Sequence, residues 1–92
     1  MVRVHLFVSG TVQGVWFRAS TREVAQKLNL HGWVRNRNDG RVEIVAEGPV
    51  DRVQKLRDWC HQGPPQAHVT QVEFQHEVLE GLAGEFDVRE TV

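Results

Sequence analysis

The sequence of 92 residues has little of several features that mark specialised classes of protein. Its one cysteine, Cys60, has no partner for an internal disulfide, so nothing in the chain demands an oxidising compartment. No apolar run approaches the ~20 residues of a membrane-spanning helix. Residues Met1 to His5 alternate in polarity and lack the apolar segment of a signal peptide. These absences predict a cytoplasmic protein with no membrane partner.

The chain also lacks a charge excess of either sign, with a formal net charge of −1. Domains that bind nucleic acid are normally strongly basic, so no nucleic-acid partner is predicted. Five arginines are nevertheless concentrated in the first half: Arg18, Arg22, Arg35, Arg37 and Arg41. A locally basic site on a nearly neutral protein suits a small anionic substrate. For Arg22, Arg37 and Arg41 individually, a solvated protein face is the favoured interpretation.

The histidines do not form a metal-binding pattern. The chain has five of them, but none is paired with another at close metal-ligand spacing, and there is no second cysteine. His68 and His76 could share a strand face, yet a zinc site would need two more ligands. We therefore predict no metal site and no cofactor.

The composition that remains is that of one small globular domain. Hydrophobic residues make up 40% of the chain and charged residues 25%. A chain of this length buries somewhat over ~60% of its unfolded surface, which is enough for one core. No repeat, low-complexity segment or linker divides it. We predict a single domain over residues 1–92 and, by default, a monomer.

Periodicity predicts the elements of the first half. Residues 2–8 alternate as a half-buried strand, and the apolar spacing becomes helical from about Arg18 to Leu28. Strands at 32–37 and 41–47 flank the hairpin-turn sequence at 38–40, in which Asp39 is expected to form the turn.

The two ends of the first predicted helix have different signals. Ser20 and Glu23 have the spacing of a capping box, which would start the helix about two residues later than Arg18, and the sequence leaves the start open. Asn29 suits a left-handed C-terminal cap.

The second half repeats the helix and strand signals. Pro49 suits the first turn of a second helix, and Gly63-Pro64-Pro65 ends it. The apolar stripe of this helix consists of Val50, Val53, Leu56 and Cys60. Residues 69–75 and 84–89 predict a fourth strand and a last short strand. The order β-α-β-β-α-β predicts an α+β, ferredoxin-like sandwich, with both helices on one face of an antiparallel sheet.

The most informative segment is Gly10-Thr11-Val12-Gln13-Gly14-Val15-Trp16-Phe17-Arg18. It leads from the first strand into the first helix. Glycine lets the backbone turn and approach a ligand closely, and a helix start offers unpaired N–H groups and a positive dipole end. The guanidinium of Arg18 matches two oxygens of one phosphoryl group. By itself the pattern is compatible with a phosphate-binding loop or with a plain tight turn.

The literal string Gly-x-Val-Gln-Gly-Val-x-Phe-Arg resembles the signature loop of the acylphosphatase family. Residues 32–43 are similar to the family's second signature, and less specific matches occur at 47–49 and 63–69. The resemblance runs in the same order from about residue 2 to about residue 89. It implies a ferredoxin-like enzyme that hydrolyses acyl phosphates to a carboxylate and inorganic phosphate, without a metal.

The resemblance also implies the site residues. It assigns catalytic roles to Arg18, which would hold the phosphoryl group, and to Asn36, which would position the attacking water. The predicted substrate-binding residues are Gln13, Gly14, Val15, Trp16, Phe17 and Arg18, mainly through their backbone N–H groups. The side chain of Gln13 is expected to fix the loop, and Trp16 is left open between flanking the pocket and half-exposed packing.

Hydrolysis of an acyl phosphate does not require the catalytic side chains that the two motifs lack. Neither motif contains a cysteine, histidine or carboxylate placed as a nucleophile or acid. Cleavage of an acyl phosphate at phosphorus expels a carboxylate whose conjugate acid has a pKa of ~4, and such a leaving group needs no proton donor. The protein has only to bind the phosphoryl group and place a water.

Other classes of protein share the predicted fold. An RNA-recognition module would need aromatic residues on its central strands, but residues 41–47 have none and include two acids. A metal carrier would need Cys-x-x-Cys in its first loop. A carbamoyl-phosphate-handling module of hydrogenase maturation proteins would belong to a much longer chain. A phosphate-binding or sensing domain without turnover would have the same loop and arginine, so this alternative stays open.

Overall fold

Alternating apolar residues and two short helical stripes produce seven elements. The computed structural model describes all residues from Met1 to Val92. The elements are β1 (Val2–Thr11), α1 (Phe17–Lys27), β2 (His31–Asn36), β3 (Val42–Gly48), α2 (Val50–Cys60), β4 (His68–Glu77) and β5 (Asp87–Val88). None of the helices has the length and apolar character needed to cross a membrane.

The five strands form one sheet in the order β4-β1-β3-β2-β5. The first four are antiparallel to their neighbours, which confirms the ferredoxin-like α+β fold. The sheet is not wholly antiparallel, because β5 pairs parallel with β2 through Trp33–Asp87 and Val34–Val88. Residues 78–86 carry the chain from one edge of the sheet to the other, and this crossing sets the direction in which β5 arrives.

The core lies between the sheet and the two helices. Every second residue of the central strands faces the helices and is buried: Val4, Leu6, Val8, Val42, Ile44 and Ala46. Helix α2 contributes Val53, Leu56 and Cys60, but the predicted stripe was wrong at Val50, whose position at the helix start leaves it 61% exposed. Burial raises the pKa of the Cys60 thiol to about 12, so this cysteine packs as a small hydrophobe.

Helix α1 ends in a Schellman motif built on Asn29. The Asn29 N–H donates to Gln26 O at 3.0 Å, and the Leu30 N–H donates to Ala25 O at 2.9 Å. Asn29 has φ 54°, which confirms the left-handed cap predicted at this position. The start of the helix, which the sequence leaves open, lies at Phe17 and not at the capping box, and no side chain caps it.

The hairpin between β2 and β3 is organised by Asp39, as predicted. Asp39 Oδ1 accepts the Arg41 N–H at 3.1 Å, and Arg37 N–H donates to Arg41 O at 2.8 Å. Arg37 and Arg41 do not form a simple solvated face. Both guanidinium groups lie over the ring of Phe7, and they pair with Glu43 and Asp39 respectively.

The sheet face opposite the helices holds a second layer of charged groups, here called the open-face network (Arg3, His5, Glu43, Glu47 and Glu77). Arg3 pairs with Glu47 and Glu77, both at 2.9 Å. His5 lies between Glu43 and Glu77, with nitrogen–oxygen distances of 2.6 and 2.7 Å. Glu47 is almost fully buried and also accepts the backbone N–H groups of Glu80 and Leu82 at 3.0 and 2.8 Å. The network therefore ties the crossing segment 78–86 to the sheet.

Candidate active site

The segment between β1 and α1 is a loop with two left-handed residues, Gly14 at φ 75° and Trp16 at φ 69°. A left-handed conformation is unusual for a bulky residue, and such conformations concentrate at functional sites. Left-handed residues in a turn are typical of the backbone nests whose successive N–H groups bind anions. None of the backbone N–H groups from Gln13 to Ala19 donates a hydrogen bond within the protein, and the first helical bond runs from Ser20 to Trp16 O at 3.0 Å.

These free amides border a cavity of about 450 Å³. The loop, the first turns of α1, the end of β2 and β5 all contribute to its wall. The structure thus brings Gly14, Trp16, Phe17 and Arg18 into one cavity with Asn36, which sequence reasoning had placed there through the family resemblance. Phe17 itself is buried in the core, so its contribution to a ligand is through its backbone.

Arg18, in the first turn of α1, contributes a cation to this cavity. Its side chain is half-buried and has no ion-pair partner in the protein. By contrast, Arg3, Arg35, Arg37 and Arg41 each pair with a carboxylate. The guanidinium of Arg18 is therefore free to bind an anion at the loop.

Asn36 is the last residue of β2 and is fixed by backbone pairing on both sides. It pairs with Val42 of β3, and its carbonyl accepts the Val92 N–H at 3.2 Å. Its side-chain Oδ1 is the one buried side-chain polar atom that has no hydrogen-bond partner in the protein. Because buried polar groups are nearly always paired, the side-chain amide of Asn36 has unused hydrogen-bonding capacity in the wall of the cavity.

The side chain of Gln13 holds the loop against the β2–β3 hairpin. Its Nε2 donates to Arg37 O at 2.7 Å and to Arg41 O at 2.9 Å. This confirms the expectation that the Gln13 side chain fixes the loop. Val15 packs against the core and anchors the other side of the same turn. The predicted loop residues thus divide into two anchors, Gln13 and Val15, and the residues that line the cavity.

Four residues that line the cavity are not among the predicted site residues. They are Val12, Ala19, Val88 and Arg22, and for Arg22 the sequence favours a solvated face. Arg22 is exposed, as that interpretation required, but it lies on the cavity side of α1. The available signal was its spacing of four residues from Arg18, which places both on one helix face.

The side chains that line the cavity offer few kinds of functional group. No carboxylate, histidine or cysteine lines the cavity. The site therefore holds hydrogen-bond donors, two guanidinium groups and one amide, and offers no nucleophilic side chain. Elsewhere, no group of three or more histidine, cysteine, aspartate or glutamate side chains has the arrangement to hold a metal ion.

Comparisons with known proteins agree on one family. The acylphosphatase family model matches residues 4–88. A curated acylphosphatase of Gloeobacter violaceus is 59% identical over 81 residues, which are 88% of this chain and 87% of that protein.

Solved structures similar to this chain also include acylphosphatases. An acylphosphatase from Bacillus subtilis has a TM-score of 0.92 and 40% identity, covering 97% of this chain and 99% of that one. The HypF protein of T. kodakarensis is also similar, with a TM-score of 0.83 and 29% identity, but this chain spans only 12% of its length.

Proposed function

The chain belongs to the acylphosphatase family, and from this premise we propose which of its residues perform the hydrolysis. The enzyme cleaves acyl phosphates to a carboxylate and inorganic phosphate. The observation that carries the assignment is the meeting, in the wall of one cavity, of unpaired loop amides, an unpaired Arg18 and Asn36, whose side-chain Oδ1 has no partner in the protein.

The loop and Arg18 bind the phosphoryl group. Its oxygens accept hydrogen bonds from backbone N–H groups between Gln13 and Arg18, at the positive end of the α1 dipole. The Arg18 fork donates to two of these oxygens. In the transition state the phosphoryl oxygens carry negative charge, and these fixed donors stabilise it without having to reorganise.

Asn36 orients the attacking water. Its side-chain amide, which can donate through Nδ2 and accept through Oδ1, hydrogen-bonds the water and holds it in line with the phosphoryl group. The water oxygen forms a bond to phosphorus as the bond from phosphorus to the acyl oxygen breaks. The carboxylate departs with that electron pair, and the proton of the water passes to solvent or phosphate. Since a carboxylate is a good leaving group, no general acid is required.

The alternative of a phosphate or carbamoyl-phosphate binding module without turnover is not favoured. The curated and solved acylphosphatases match this chain over most of both lengths, whereas HypF matches it over a small share of its own.

The proposal also covers the domain organisation, oligomeric state and location of the enzyme. We infer a single domain over residues 1–92 that works as a monomer in the cytoplasm, with no metal, nucleic acid or membrane involved. The absence of acidic side chains from the cavity supports metal independence, because divalent cations are usually held in part by carboxylates.

The test is hydrolysis of benzoyl phosphate by the purified enzyme after exhaustive treatment with EDTA. We expect full turnover, with release of one phosphate for each benzoate. Loss of activity in EDTA and recovery with a divalent cation would contradict the metal-free assignment. Tight phosphate binding without any turnover would instead support the binding module.

A further inference from the structure

The cavity is larger than the group that the proposed chemistry holds. Its volume is about 450 Å³, which lies within the range of roughly 300–1,000 Å³ that is typical of pockets for small molecules. A phosphoryl group fills a modest part of that space, so the cavity also accommodates the acyl group. The side chains of the lining that the proposed function does not use are therefore placed to select among acyl phosphates, and they include Trp16 of the loop together with Ala19, Arg22 and Val88.

Arg22 is the charged member of this set. It lies one helical turn beyond Arg18, so the two Cα atoms are separated by about 6 Å along α1 and face the same side. Arg22 makes no ion pair and no side-chain hydrogen bond, although four other arginines of the chain are paired with carboxylates. Its near neighbour Glu23 pairs with Lys27 at 3.3 Å and leaves Arg22 free.

Charge in the cavity is of one sign. Arg18 and Arg22 are its ionised residues, and no acidic side chain lines it. The proposed function uses Arg18 for the phosphoryl group and leaves Arg22 unused. A guanidinium beyond the phosphoryl site is placed to meet a second anionic group on the same substrate.

We propose that Arg22 is a specificity-determining residue, which favours acyl phosphates whose acyl group carries its own negative charge. This inference rests on the proposed function, since it requires the phosphoryl group on the Gly10–Arg18 loop. A carboxylate at the far end of the acyl group binds the Arg22 fork. A neutral acyl group leaves Arg22 hydrated and contacts Trp16 and Val88, so charge confers preference and is not required for turnover.

The preference is modest because Arg22 is exposed. Exposed ion pairs are screened by water and salt, and we expect a factor of about three to ten in kcat/KM. The contact persists from the bound substrate to the transition state, so the effect is expected mainly in KM, with kcat little changed.

The experiment compares two probes of nearly equal size, 4-carboxybenzoyl phosphate and its methyl ester. Their ratio of kcat/KM is measured for the wild type, Arg22→Gln and Arg22→Lys. Dividing the ratio for each variant by that for the wild type removes the intrinsic difference in reactivity between the probes. We expect Arg22→Gln to lower the ratio about three- to tenfold, and Arg22→Lys to retain part of the preference because the charge remains and the fork is lost.

Arg52→Gln is the matched control. Arg52 is an exposed arginine of α2 without an ion pair and outside the cavity, so its loss changes the net charge equally. We expect the probe ratio of Arg52→Gln to equal that of the wild type. The preference of the wild type should also weaken as salt is raised from 0.02 to about 0.5 M, where the Debye length falls to a few ångströms.

The outcomes separate this inference from the proposed function. A wild type that hydrolyses benzoyl phosphate but shows the same probe ratio as Arg22→Gln would overturn the role of Arg22 and leave the proposed function standing. An equal drop in Arg52→Gln would assign the effect to net charge and also overturn it. A wild type that hydrolyses none of these probes would overturn both.

Discussion

Arg18 and Asn36 reach one cavity from different elements, and they offer different chemistry to its occupant. A guanidinium attracts the phosphoryl oxygens both in the bound substrate and in the transition state. An amide that holds a water matters when the water attacks. The two side chains should therefore be separable by kinetics.

We expect Arg18→Gln to weaken the binding of inorganic phosphate and to reduce turnover, with poor recovery in Arg18→Lys because an ammonium lacks the bidentate fork. Asn36→Ala should lower kcat by about 10²-fold or more and leave phosphate affinity nearly intact. Steady-state kinetics with benzoyl phosphate and phosphate inhibition constants measure both effects.

Asn38→Ala serves as the control for Asn36, because Asn38 is exposed in the nearby hairpin and no hydrogen bond of its side chain is present. Its kcat should match the wild type. An Asn36→Ala enzyme with normal turnover would remove the amide from the mechanism, and normal phosphate affinity in Arg18→Gln would do the same for the arginine.

The sequence predicts these two positions better than it predicts their surroundings. Arg18 and Asn36 belong to signature strings, so they are visible in the linear chain. Arg22 has no such string, and a charged residue on a helix is typical of any solvated surface. Its position at the cavity depends on where β5 closes the wall with Val88, which is decided by tertiary structure.

At the level of elements, the sequence signals the end of helix α1 more clearly than its start. No side chain caps its N-terminus, so the amides that a cap would bind stay available to a ligand. At the other end, Asn29 adopts φ 54° within the Schellman motif. Residues other than glycine and asparagine pay a steric penalty in that conformation.

We expect Asn29→Ala to destabilise the protein by about 1 kcal/mol, because alanine is strained in the left-handed region. For a domain of this size the melting temperature should fall by about 4–8 °C. Asn29→Gly should be at least as stable as the wild type. Thermal melts of both variants check the prediction.

Gln26→Ala is the control, since Gln26 is exposed on the same helix and alanine is a good helix former. It should melt close to the wild type. Equal melting temperatures for Asn29→Ala and Asn29→Gly would show that the left-handed cap contributes no measurable stability.

The periodicity of the sequence predicts the helices and strands of the fold, but it predicts the pairing of the strands only in part. Alternation marks β1 and β3 clearly because one face of each is apolar. The parallel pairing of β5 has no counterpart in the sequence, because a strand of two residues is too short to show a period. Its position depends on the crossing segment, which is bound to Glu47 through the N–H groups of Glu80 and Leu82. Nothing in the linear chain shows that Glu47 would be buried.

For the whole molecule, the open-face network links stability to pH. Burial acts to raise the pKa of Glu47, but hydrogen bonds from Glu80, Leu82 and Arg3 outweigh it and lower the pKa. The pKa of Glu43 is lowered in the same way, against burial, by Arg35, His5 and Arg37. Hydrogen bonds from His5 and Arg3 lower the pKa of Glu77. A lowered pKa in the folded state stabilises the protein above the unfolded pKa of about 4.3, and this contribution is lost as pH falls through the folded value.

We expect the free energy of unfolding to be nearly constant from pH 7 to about pH 5 and to fall steeply below about pH 4. Glu47→Gln should cost about 2–3 kcal/mol at pH 7, because it weakens the pairing of a buried Arg3, and should flatten the acid dependence. Urea denaturation of the wild type and of Glu47→Gln at several pH values measures the acid dependence and the effect of the substitution. Glu90→Gln, which removes an exposed carboxylate without an ion-pair partner, should follow the wild-type curve. An unchanged acid slope in Glu47→Gln would contradict the network's role.

The site and the fold are also coupled through the ligand. A molecule that binds only the native state raises stability by RT ln(1 + [L]/Kd), which is about 1.4 kcal/mol at ten times Kd. Inorganic phosphate should therefore raise the melting temperature by about 5–10 °C and should compete with substrate. Its oxygens can accept from several loop amides and from the Arg18 fork at once, since none of these groups is engaged within the protein.

Chloride at matched ionic strength provides the contrast, because a single spherical ion cannot satisfy several amides and a planar fork together. We expect it to shift the melting temperature much less than phosphate does. In Arg18→Gln the phosphate-specific shift should shrink, whereas in Arg52→Gln it should persist, because Arg52 lies outside the cavity. Equal shifts by phosphate and chloride in the wild type, with no competition between phosphate and substrate, would show that the Gly10–Arg18 loop is not the phosphate site.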